Sequence, residues 1–464
     1  MGRMSQARAW LTDKLPLALF LLSLMFLTFV AGILASVAEI FPAEQVRNAY
    51  RAGTALYTQL TRFSDPLSTD LWVKARTPKT GLTIHAPDKA HPGLTLFTSG
   101  HAPKAFLLSM DGEILHEWHK PFSAVWDKSS PVRRPVQDRQ VYFNKARLYP
   151  DGDLLAIYIG VGDSPYGYGM VRLDRDSNVV WKNLDRFHHD MDVGDDGRIY
   201  GLTHHYRTKP PHGTDLKLPI LDDFLTVVSP SDGRTLKTIS LLDAFNASDF
   251  RRLLWLVPSY SMADPLHTNG VDILDAQDAA RLGTRVPAAA EGQVLLSFRE
   301  LAGGTLALLD VETEEIVWAT MGPWMSQHDP DVLPNGNLLV FDNRGKFGPG
   351  GQTRVLEFNP GNGEVAWTYG GDRNHHFESF IRGSQQRLPN GNTFITEDDG
   401  GRLLEVTAAG TTVWEYINPV RDEREGKRIP VLSWAQRIDS DTLSAEFRAS
   451  VEDDTLLAEE TNTQ

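Results

Sequence analysis

Apolar and polar residues alternate in a repeated pattern along most of the chain. The clearest copy is SQHDPDVLPNGNLLVFDN at residues 326–343, which runs from a polar segment through a short strand and a Pro-Asn-Gly turn into the apolar strand 338–341. Imperfect copies begin at Asn144, Phe187 and Ile381. Each copy therefore predicts two strands joined by a tight turn.

A second alternating pattern follows each copy of the first. It is a strand, a polar turn and a strand that often ends in tryptophan, and its six copies end at Trp118, Trp181, Ile239, Trp318, Trp367 and Trp414. The two patterns together make a four-stranded unit with a period of roughly 50 to 70 residues, which is typical of a β-propeller. The tryptophans are predicted to fill the gaps between blades, and the Asn-Gly turns to supply the positive φ that tight hairpins need.

The hairpin that ends at Trp118 has no copy of the first pattern before it. A matching segment, LSWAQRIDSDTLSAEF, begins at Leu432 near the C-terminus. We expect this segment to complete the first blade and close the ring, which removes exposed sheet edges. The sequence thus predicts an all-β fold, a six-bladed β-propeller over residues 90–447 closed by C-terminal strands, with an acidic and mobile tail at 448–464.

The N-terminal segment has a different pattern, because residues 15–38 are almost entirely apolar. This length is enough for one transmembrane helix. The basic residues Arg3, Arg8 and Lys14 before it predict that residues 1–14 are cytoplasmic and that the remainder lies across the membrane. A cleavable signal is the alternative, since residues 35–38 resemble a cleavage site, but the apolar stretch is long for a signal peptide. Residues 39–89 are predicted to be a helical linker.

Composition narrows the possible functions. The 464 residues contain 38 Gly, 27 Pro and no Cys, which excludes disulfides and thiolate metal sites. The formal net charge of -14 argues against a nucleic-acid partner, because there is no basic surplus to neutralise phosphates.

One column of the first pattern carries candidate chemistry. When the copies are aligned on their turn glycines, the position eight residues upstream holds Asn144, His189, His328 and Gly383. His267 begins the intervening unit, in which an insertion at 275–291 hides the turn. We expect the second, third and fourth blades to present these three histidines at the same structural position, at the mouth of the central channel.

Three converging imidazoles suit two kinds of chemistry. They can bind zinc or another divalent cation, with Asp190, Asp192 and Asp329 as further ligands. They can also perform covalent or acid–base chemistry on an oxyanion, which the nearby Arg299 and Arg382 favour because a guanidinium disfavours a cation and binds sulfate or phosphate. The residues favour the anion and leave both possibilities open.

Several spaced motifs resemble the bacterial arylsulfotransferase family, the PAPS-independent aryl-sulfate sulfotransferases. They are the segment 326–343, HTN at 267–269, SFRELAGGTLALLD at 297–310 and GSQQRLPNGNTFITEDDGGRLLEV at 383–406. The resemblance implies a six-bladed propeller that moves a sulfuryl group from an aryl sulfate ester to a phenol by a ping-pong mechanism through a sulfohistidine. It implies no cofactor and no metal.

The resemblance also implies roles for particular residues. His328 is the nucleophile, His267 and Asn269 lie beside it, and Arg299 holds sulfuryl oxygens. His189 is a further imidazole, preferred to His188 because it falls in the column. Arg382 and Ser384, in the fifth blade, are candidate substrate-binding residues.

The chain differs from the family pattern at its N-terminus. Family members carry an N-terminal β domain that supports dimerisation and a disulfide, whereas this chain has an apolar segment, a linker and no Cys. The oligomeric state is therefore not predicted. We expect a single-pass inner-membrane protein with its catalytic domain in the periplasm. The alternatives are a non-catalytic propeller that binds an anionic ligand or a protein partner, and a metal-dependent hydrolase or lactonase.

Overall fold

The computed structural model divides the chain into two units, residues 1–65 and 66–464. It describes residues 2–38, 40–41, 43, 45–46, 49–50, 65–216, 218–344, 353–371 and 376–451. The first unit contains helix α1, Gly2–Val37, and its segment Lys14–Val37 is long and apolar enough to cross a membrane, as an anchor or as a signal sequence. Most of the predicted linker helix, residues 51–64, lies outside the described residues.

The second unit consists mainly of strands. These are β1 Trp72–Lys74, β2 Gly81–His85, β3 Leu94–Ser99, β4 Lys104–Leu108, β5 Ile114–His119, β6 Val141–Leu148, β7 Leu154–Gly160, β8 Gly167–Leu173, β9 Val179–Asn183, β10 Phe187–Val193, β11 Ile199–Arg207, β12 Ile220–Val228, β13 Thr235–Ser240, β14 Thr268–Ile273, β15 Val294–Phe298, β16 Thr305–Asp310, β17 Glu315–Met321, β18 His328–Val332, β19 Leu338–Asp342, β20 Arg354–Phe358, β21 Val365–Tyr369, β22 Ser384–Arg387, β23 Thr393–Glu397, β24 Arg402–Val406, β25 Thr412–Ile417, β26 Arg428–Pro430 and β27 Leu432–Ile438. Three short α-helices connect them, α2 Phe122–Val125, α3 Leu241–Ala247 and α4 Ala276–Gly283. Short 3₁₀ helices span Pro66–Ser68, Asp138–Gln140, Arg251–Leu256, Leu301–Gly303, Asp398–Gly400 and Ser440–Thr442.

The strands form six antiparallel blades, as the repeat predicted. Blade 1 has the order β27-β3-β4-β5, and blades 2 to 5 are β6–β9, β10–β13, β14–β17 and β18–β21 in chain order. Blade 6 contains β22–β25 with β2 added at its outer edge. The inner strands β27, β6, β10, β14, β18 and β22 each contact the next around a closed ring. The C-terminal strand therefore completes the first blade, which confirms the predicted six-bladed propeller.

Two details differ from the predicted organisation. Strands β1 and β2 lie inside the predicted linker 39–89, yet β1 pairs with β26 and β2 pairs with β25, so the linker prediction does not describe residues 72–85. At the other end, the predicted tail began at residue 448, yet residues 448–451 belong to a helix that spans 445–451, and Val451 is buried. The remainder of the predicted tail, from residue 452, lies outside the described residues.

Each candidate site residue lies one blade later in the propeller than the sequence predicted. Because the hairpin that ends at Trp118 belongs to blade 1, His189, His267 and His328 lie in blades 3, 4 and 5 rather than in the second to fourth. For the same reason Arg382 and Ser384 lie in blade 6 or just before it, rather than in the fifth.

The repeated tryptophans join neighbouring blades. The indole N–H of Trp118 in blade 1 donates to the carbonyl of Gly152 in blade 2 at 3.1 Å, and that of Trp181 in blade 2 donates to Pro230 in blade 3 at 2.9 Å. The same contact closes the ring, since Trp414 in blade 6 donates to Met110 in blade 1 at 2.8 Å. Each large ring buries apolar surface while its polar atom is satisfied, so these residues act as frame, as predicted.

Candidate active site

The three histidines lie where the inner strands of blades 3, 4 and 5 begin. His328 is the first residue of β18 and pairs with Phe341. His189 instead lies in a bulge of β10, between the pairs that His188 and Met191 make, and His267 immediately precedes β14. The predicted identical position is therefore not kept in the strand ladders, because the bulge of β10 accommodates more extra residues than the bulges of β14 and β18.

The backbone at these positions is unusual. His189 and His267 have positive φ values of 48° and 47°, and Ser326 and Asp329, on either side of His328, have values of 56° and 50°. This left-handed conformation costs a residue other than glycine about 1–3 kcal/mol, and it persists where surrounding contacts impose it. Strain at His189 and His267 and on either side of His328 is what a preorganised functional site would show.

Side chains that reach across from one blade to the next impose this conformation. The Asn144 amide of blade 2 donates to the carbonyl of His189 at 2.6 Å, and the Asn269 amide of blade 4 donates to the carbonyl of Gln327 at 2.8 Å. Asp190 accepts the Val271 N–H at 2.9 Å and pairs with the buried Lys145. Asn269 thus positions the backbone next to His328, and Asp190, a candidate metal ligand in the sequence, joins two blades.

His328 has one defined tautomer. Its Nδ1 lies 2.7 Å from Asn343 Oδ1, and the amide nitrogen of Asn343 donates to the carbonyls of Ser379 at 2.9 Å and Arg382 at 2.7 Å. Because the Asn343 nitrogen is used in this way, its oxygen faces His328 and accepts, so the hydrogen of His328 is on Nδ1. The buried Nε2 then carries a lone pair, and it has no hydrogen-bond partner among the residues that the structure describes.

The environment keeps His328 uncharged at neutral pH. Burial lowers its pKa, the nearby Arg299 guanidinium lowers it further, and together they place it at about 3. A neutral imidazole with a free nitrogen is a nucleophile. His328 therefore has the protonation state that nucleophilic attack requires.

His267 has the same tautomer but a different use of its second nitrogen. Its Nδ1 lies 2.6 Å from Asp264 Oδ2, and its Nε2 accepts from Arg299 Nη1 at 3.3 Å. Arg299 is oriented in turn by Glu300, whose Oε1 lies 3.2 Å from Arg299 Nε. The Nε2 of His267 is occupied, so His267 serves mainly to orient the guanidinium.

His189 completes the group. Its ring centroid lies 5.0 Å from that of His267, and its Nδ1 lies 2.8 Å from His188 Nδ1. Burial, together with the neighbouring His267, lowers the pKa of His189 well below its usual range. Both members of the His188-His189 pair therefore belong to the site. His189 lies against His267, and His188 contacts His189 through Nδ1.

One group of side chains has the composition of a metal site. His188, His204 and Asp223 are all buried, and their candidate ligand atoms lie within 4.8 Å of one another. However, His204 Nε2 accepts the Gly167 N–H at 3.1 Å, so the neutral ring carries its hydrogen on Nδ1 and has no second lone pair for a cation. The group therefore fits a metal poorly.

Arg382 and Ser384 make other contacts than the sequence suggested. The Arg382 guanidinium lies 2.7 Å from Asp70 Oδ2 and 3.8 Å from Asp398 Oδ2, although its charge also contributes to lowering the pKa of His328 after burial and Arg299. The Ser384 hydroxyl donates to Thr396 Oγ1 at 2.8 Å inside blade 6. The structure thus brings His189, His267, Arg299 and His328 together, while the Ser384 hydroxyl is used within its own blade.

Sequence reasoning gave no role to Asn343, His188, Asp264 or Asp223. Asn343 closes the motif that contains His328, but its partner is set by the fold. The one local signal for His188 was its place next to His189.

A family model described as Arylsulfotransferase (ASST) matches residues 145–419. The search of curated proteins found no similar sequence. Among solved structures, a protein of unknown function from Bacteroides caccae is 13% identical with a TM-score of 0.44, covering 74% of this chain and 99% of that one. Virginiamycin B lyase from Staphylococcus aureus is 11% identical with a TM-score of 0.37, covering 75% and 88%. At these TM-scores neither likeness bears on function.

Proposed function

This chain belongs to the arylsulfotransferase family, and on that premise we propose that it moves a sulfuryl group from an aryl sulfate ester to a phenol through a sulfohistidine at His328. The observation that carries the proposal is the free, buried Nε2 of His328, whose lone pair is fixed by the contact between Nδ1 and Asn343. A nucleophile needs such an oriented partner on its other nitrogen.

In the first half of the reaction, Nε2 of His328 attacks the sulfur of the aryl sulfate. The N–S bond forms as the bond between sulfur and the aryl oxygen breaks, and the electron pair of that bond leaves with the phenolate. The positive charge of Arg299, held by Glu300 and His267, stabilises the anionic sulfuryl oxygens during transfer. The product is a sulfohistidine and a free phenol or phenolate.

In the second half, the oxygen of an acceptor phenol attacks the same sulfur and the N–S bond breaks. The phenol proton must go to a base, and His189 is better suited than His267. Nε2 of His267 already accepts from Arg299. Among the described residues, the ring of His189 is hydrogen-bonded only through Nδ1, and it is neutral at pH 7 because burial and His267 lower its pKa. His189 therefore takes the proton here and returns it to the leaving oxygen in the reverse direction.

We also propose that α1 remains as an anchor in the inner membrane and that the propeller acts in the periplasm. Arg3, Arg8 and Lys14 precede the apolar segment, which favours a cytoplasmic N-terminus. An aryl ester donor suits that location, because it requires no cytosolic nucleotide.

The test uses the full chain with 4-nitrophenyl sulfate as donor and phenol as acceptor. We expect nitrophenolate release that depends on phenol, and a gain of one SO₃ group on His328 when the acceptor is omitted. The His328→Ala protein should lose both, while the matched control His205→Ala, which changes a half-exposed histidine paired with Asp185, should keep both. Saturable donor binding without a mass gain would instead support the non-catalytic alternative and overturn the proposal.

A further inference from the structure

We infer that His188 and Asp223 form a proton relay behind His189, so that the site removes the acceptor proton through three residues in series. The inference rests on the proposed transfer reaction and adds positioning residues to it. Both residues are buried, His188 completely and Asp223 to 2% exposure.

The three groups form a continuous path across blade 3. His189 Nδ1 lies 2.8 Å from His188 Nδ1, and His188 Nε2 lies 3.5 Å from Asp223 Oδ1. The second carboxylate oxygen of Asp223 accepts the Thr268 N–H at 2.7 Å, which fixes the carboxylate against blade 4. His188 therefore lies between a histidine and a carboxylate; its Nε2 makes no hydrogen bond to any described residue, and the carboxylate of Asp223 acts on it through its charge at 3.5 Å.

The hydrogen bond between His188 Nδ1 and His189 Nδ1 contains one hydrogen, which is bonded to one of the two nitrogens. The charge of Asp223 determines which nitrogen carries it. If His188 carried it, the lone pair of His188 Nε2 would face the carboxylate at 3.5 Å, which is unfavourable. If His189 carries it, His188 has its hydrogen on Nε2, the nitrogen that lies 3.5 Å from Asp223 Oδ1. The second arrangement leaves a lone pair on His189 Nε2, so the resting site is ready to accept a proton.

The relay also removes the charge that this proton brings. When the O–H bond of the phenol breaks, the hydrogen binds His189 Nε2 and makes an imidazolium close to the cation Arg299. The hydrogen on His189 Nδ1 can then pass to His188 Nδ1, leaving His189 neutral and placing the positive charge beside Asp223. A relay that still holds this proton can return it in the next donor half-reaction, when the same hydrogens move in the opposite direction to a basic leaving phenolate. From the neutral resting site, an acidic phenol such as 4-nitrophenol leaves as its phenolate without a proton.

The surroundings of His188 hold its ring for this purpose. The His204 ring stacks on it with centroids 4.2 Å apart, and Tyr166 meets its edge at 5.8 Å. The titratable groups that face His188 are His204, Tyr166, His189, Asp223 and, through its charge, Asp264. His204 is neutral with its lone pair on the Gly167 N–H, so Asp223 is the anion that closes the path.

The test compares Asp223→Asn with the wild type in separate half-reactions. Asparagine keeps an acceptor for the Thr268 N–H and removes the charge. Acid–base assistance is typically worth about 10²–10⁴-fold, so we expect discharge of the sulfohistidine by a weakly acidic phenol to fall by about 10–100-fold. Discharge by a strongly acidic phenol, and sulfation by 4-nitrophenyl sulfate, should stay within about threefold, because neither needs a base.

The matched control is Asp185→Asn, which changes a carboxylate that faces the half-exposed His205 in the same blade. It should behave as wild type with every phenol. An Asp223→Asn protein that is slowed equally with all phenols, or with none, overturns the relay, as does stoichiometric zinc bound by the wild type and lost in this variant.

A second measurement needs neither activity nor the variant. Nitrogen NMR of the ¹⁵N-histidine-labelled wild type should show the hydrogen of His189 on Nδ1 and that of His188 on Nε2. The opposite pair of tautomers overturns the relay even if transfer is observed. Absence of any sulfohistidine in the wild type contradicts the proposed function instead, and the NMR result then decides the relay separately.

Discussion

Replacing Asn343 with alanine removes the side chain that decides which nitrogen of His328 carries the hydrogen. The Asn343 side chain makes three hydrogen bonds, to His328 Nδ1 and to the carbonyls of Ser379 and Arg382. The Ser379 carbonyl keeps a hydrogen bond after the change, because it also accepts from the Thr353 hydroxyl at 3.1 Å. His328 Nδ1 and the Arg382 carbonyl lose their Asn343 contacts. At about 1–3 kcal/mol for each buried unsatisfied group, the free energy of unfolding should fall by about 2–6 kcal/mol.

The same change should slow sulfation of His328. Loss of one neutral hydrogen bond, worth about 1 kcal/mol, costs up to about tenfold in the fraction of rings with a free Nε2. A nucleophile displaced by about 1 Å loses on the order of a hundredfold more. We therefore expect Asn343→Ala to form sulfohistidine about 10²–10³-fold more slowly.

The assay is the rapid release of nitrophenolate from 4-nitrophenyl sulfate in a single turnover, with unfolding by urea measured in parallel. The matched control is Asn337→Ala, which removes a buried asparagine of the same blade whose amide binds Glu357 at 2.9 Å in the hairpin turn. This control should lose stability and keep the single-turnover rate. A folded Asn343→Ala protein that is sulfated at the wild-type rate would refute the tautomer argument.

Four further results are expected. Since the pKa of His328 is about 3, the rate of sulfation should stay constant from pH 7 to about pH 4 and fall only below that, as stopped-flow rates across this range would show. That folded pKa lies below the unfolded value of about 6.5, so the folded chain binds fewer protons than the unfolded chain below this pH. The contribution of His328 to the free energy of unfolding should therefore be full above about pH 6.5 and should fall below it by up to about 1.4 kcal/mol per pH unit, as urea unfolding would measure. The Arg299→Met protein should show a kcat/KM for the donor lowered by about 10–100-fold, because it loses a charged hydrogen bond worth about 1.5–3 kcal/mol, and an unchanged kcat/KM would contradict its proposed role. The Trp118→Ala protein should lose about 3–5 kcal/mol of stability and keep its sulfation rate, since the indole only joins blades 1 and 2.

The sequence carries much of the fold because its periodicity is local. Alternating residues and glycine turns mark the strands of each blade, and the match between the segments at Leu432 and Asn144 predicts the closure by β27. The pairing of β2 with β25 could not be predicted in this way. The two strands are more than three hundred residues apart in the chain, and no repeat links them.

The candidate site was predictable only in part, for a related reason. The column of turn-aligned residues indicates His189 and His328, but the partners that set their tautomers, Asn343 and His188, are fixed by tertiary contacts and by the size of each bulge. Arg382 was expected to bind substrate, yet its guanidinium pairs with Asp70, which lies 312 residues earlier in the chain. Local sequence identifies charged residues and cannot show which of them are already paired.

The central claim is that His328 carries the sulfuryl group between donor and acceptor. The most direct test is the intact mass of the protein after incubation with an aryl sulfate in the absence of any phenol, followed by peptide mapping. The account predicts a gain of one SO₃ group located on His328, which disappears when phenol is added. An unchanged mass during demonstrable sulfate transfer, or a sulfuryl group on another residue, would contradict it.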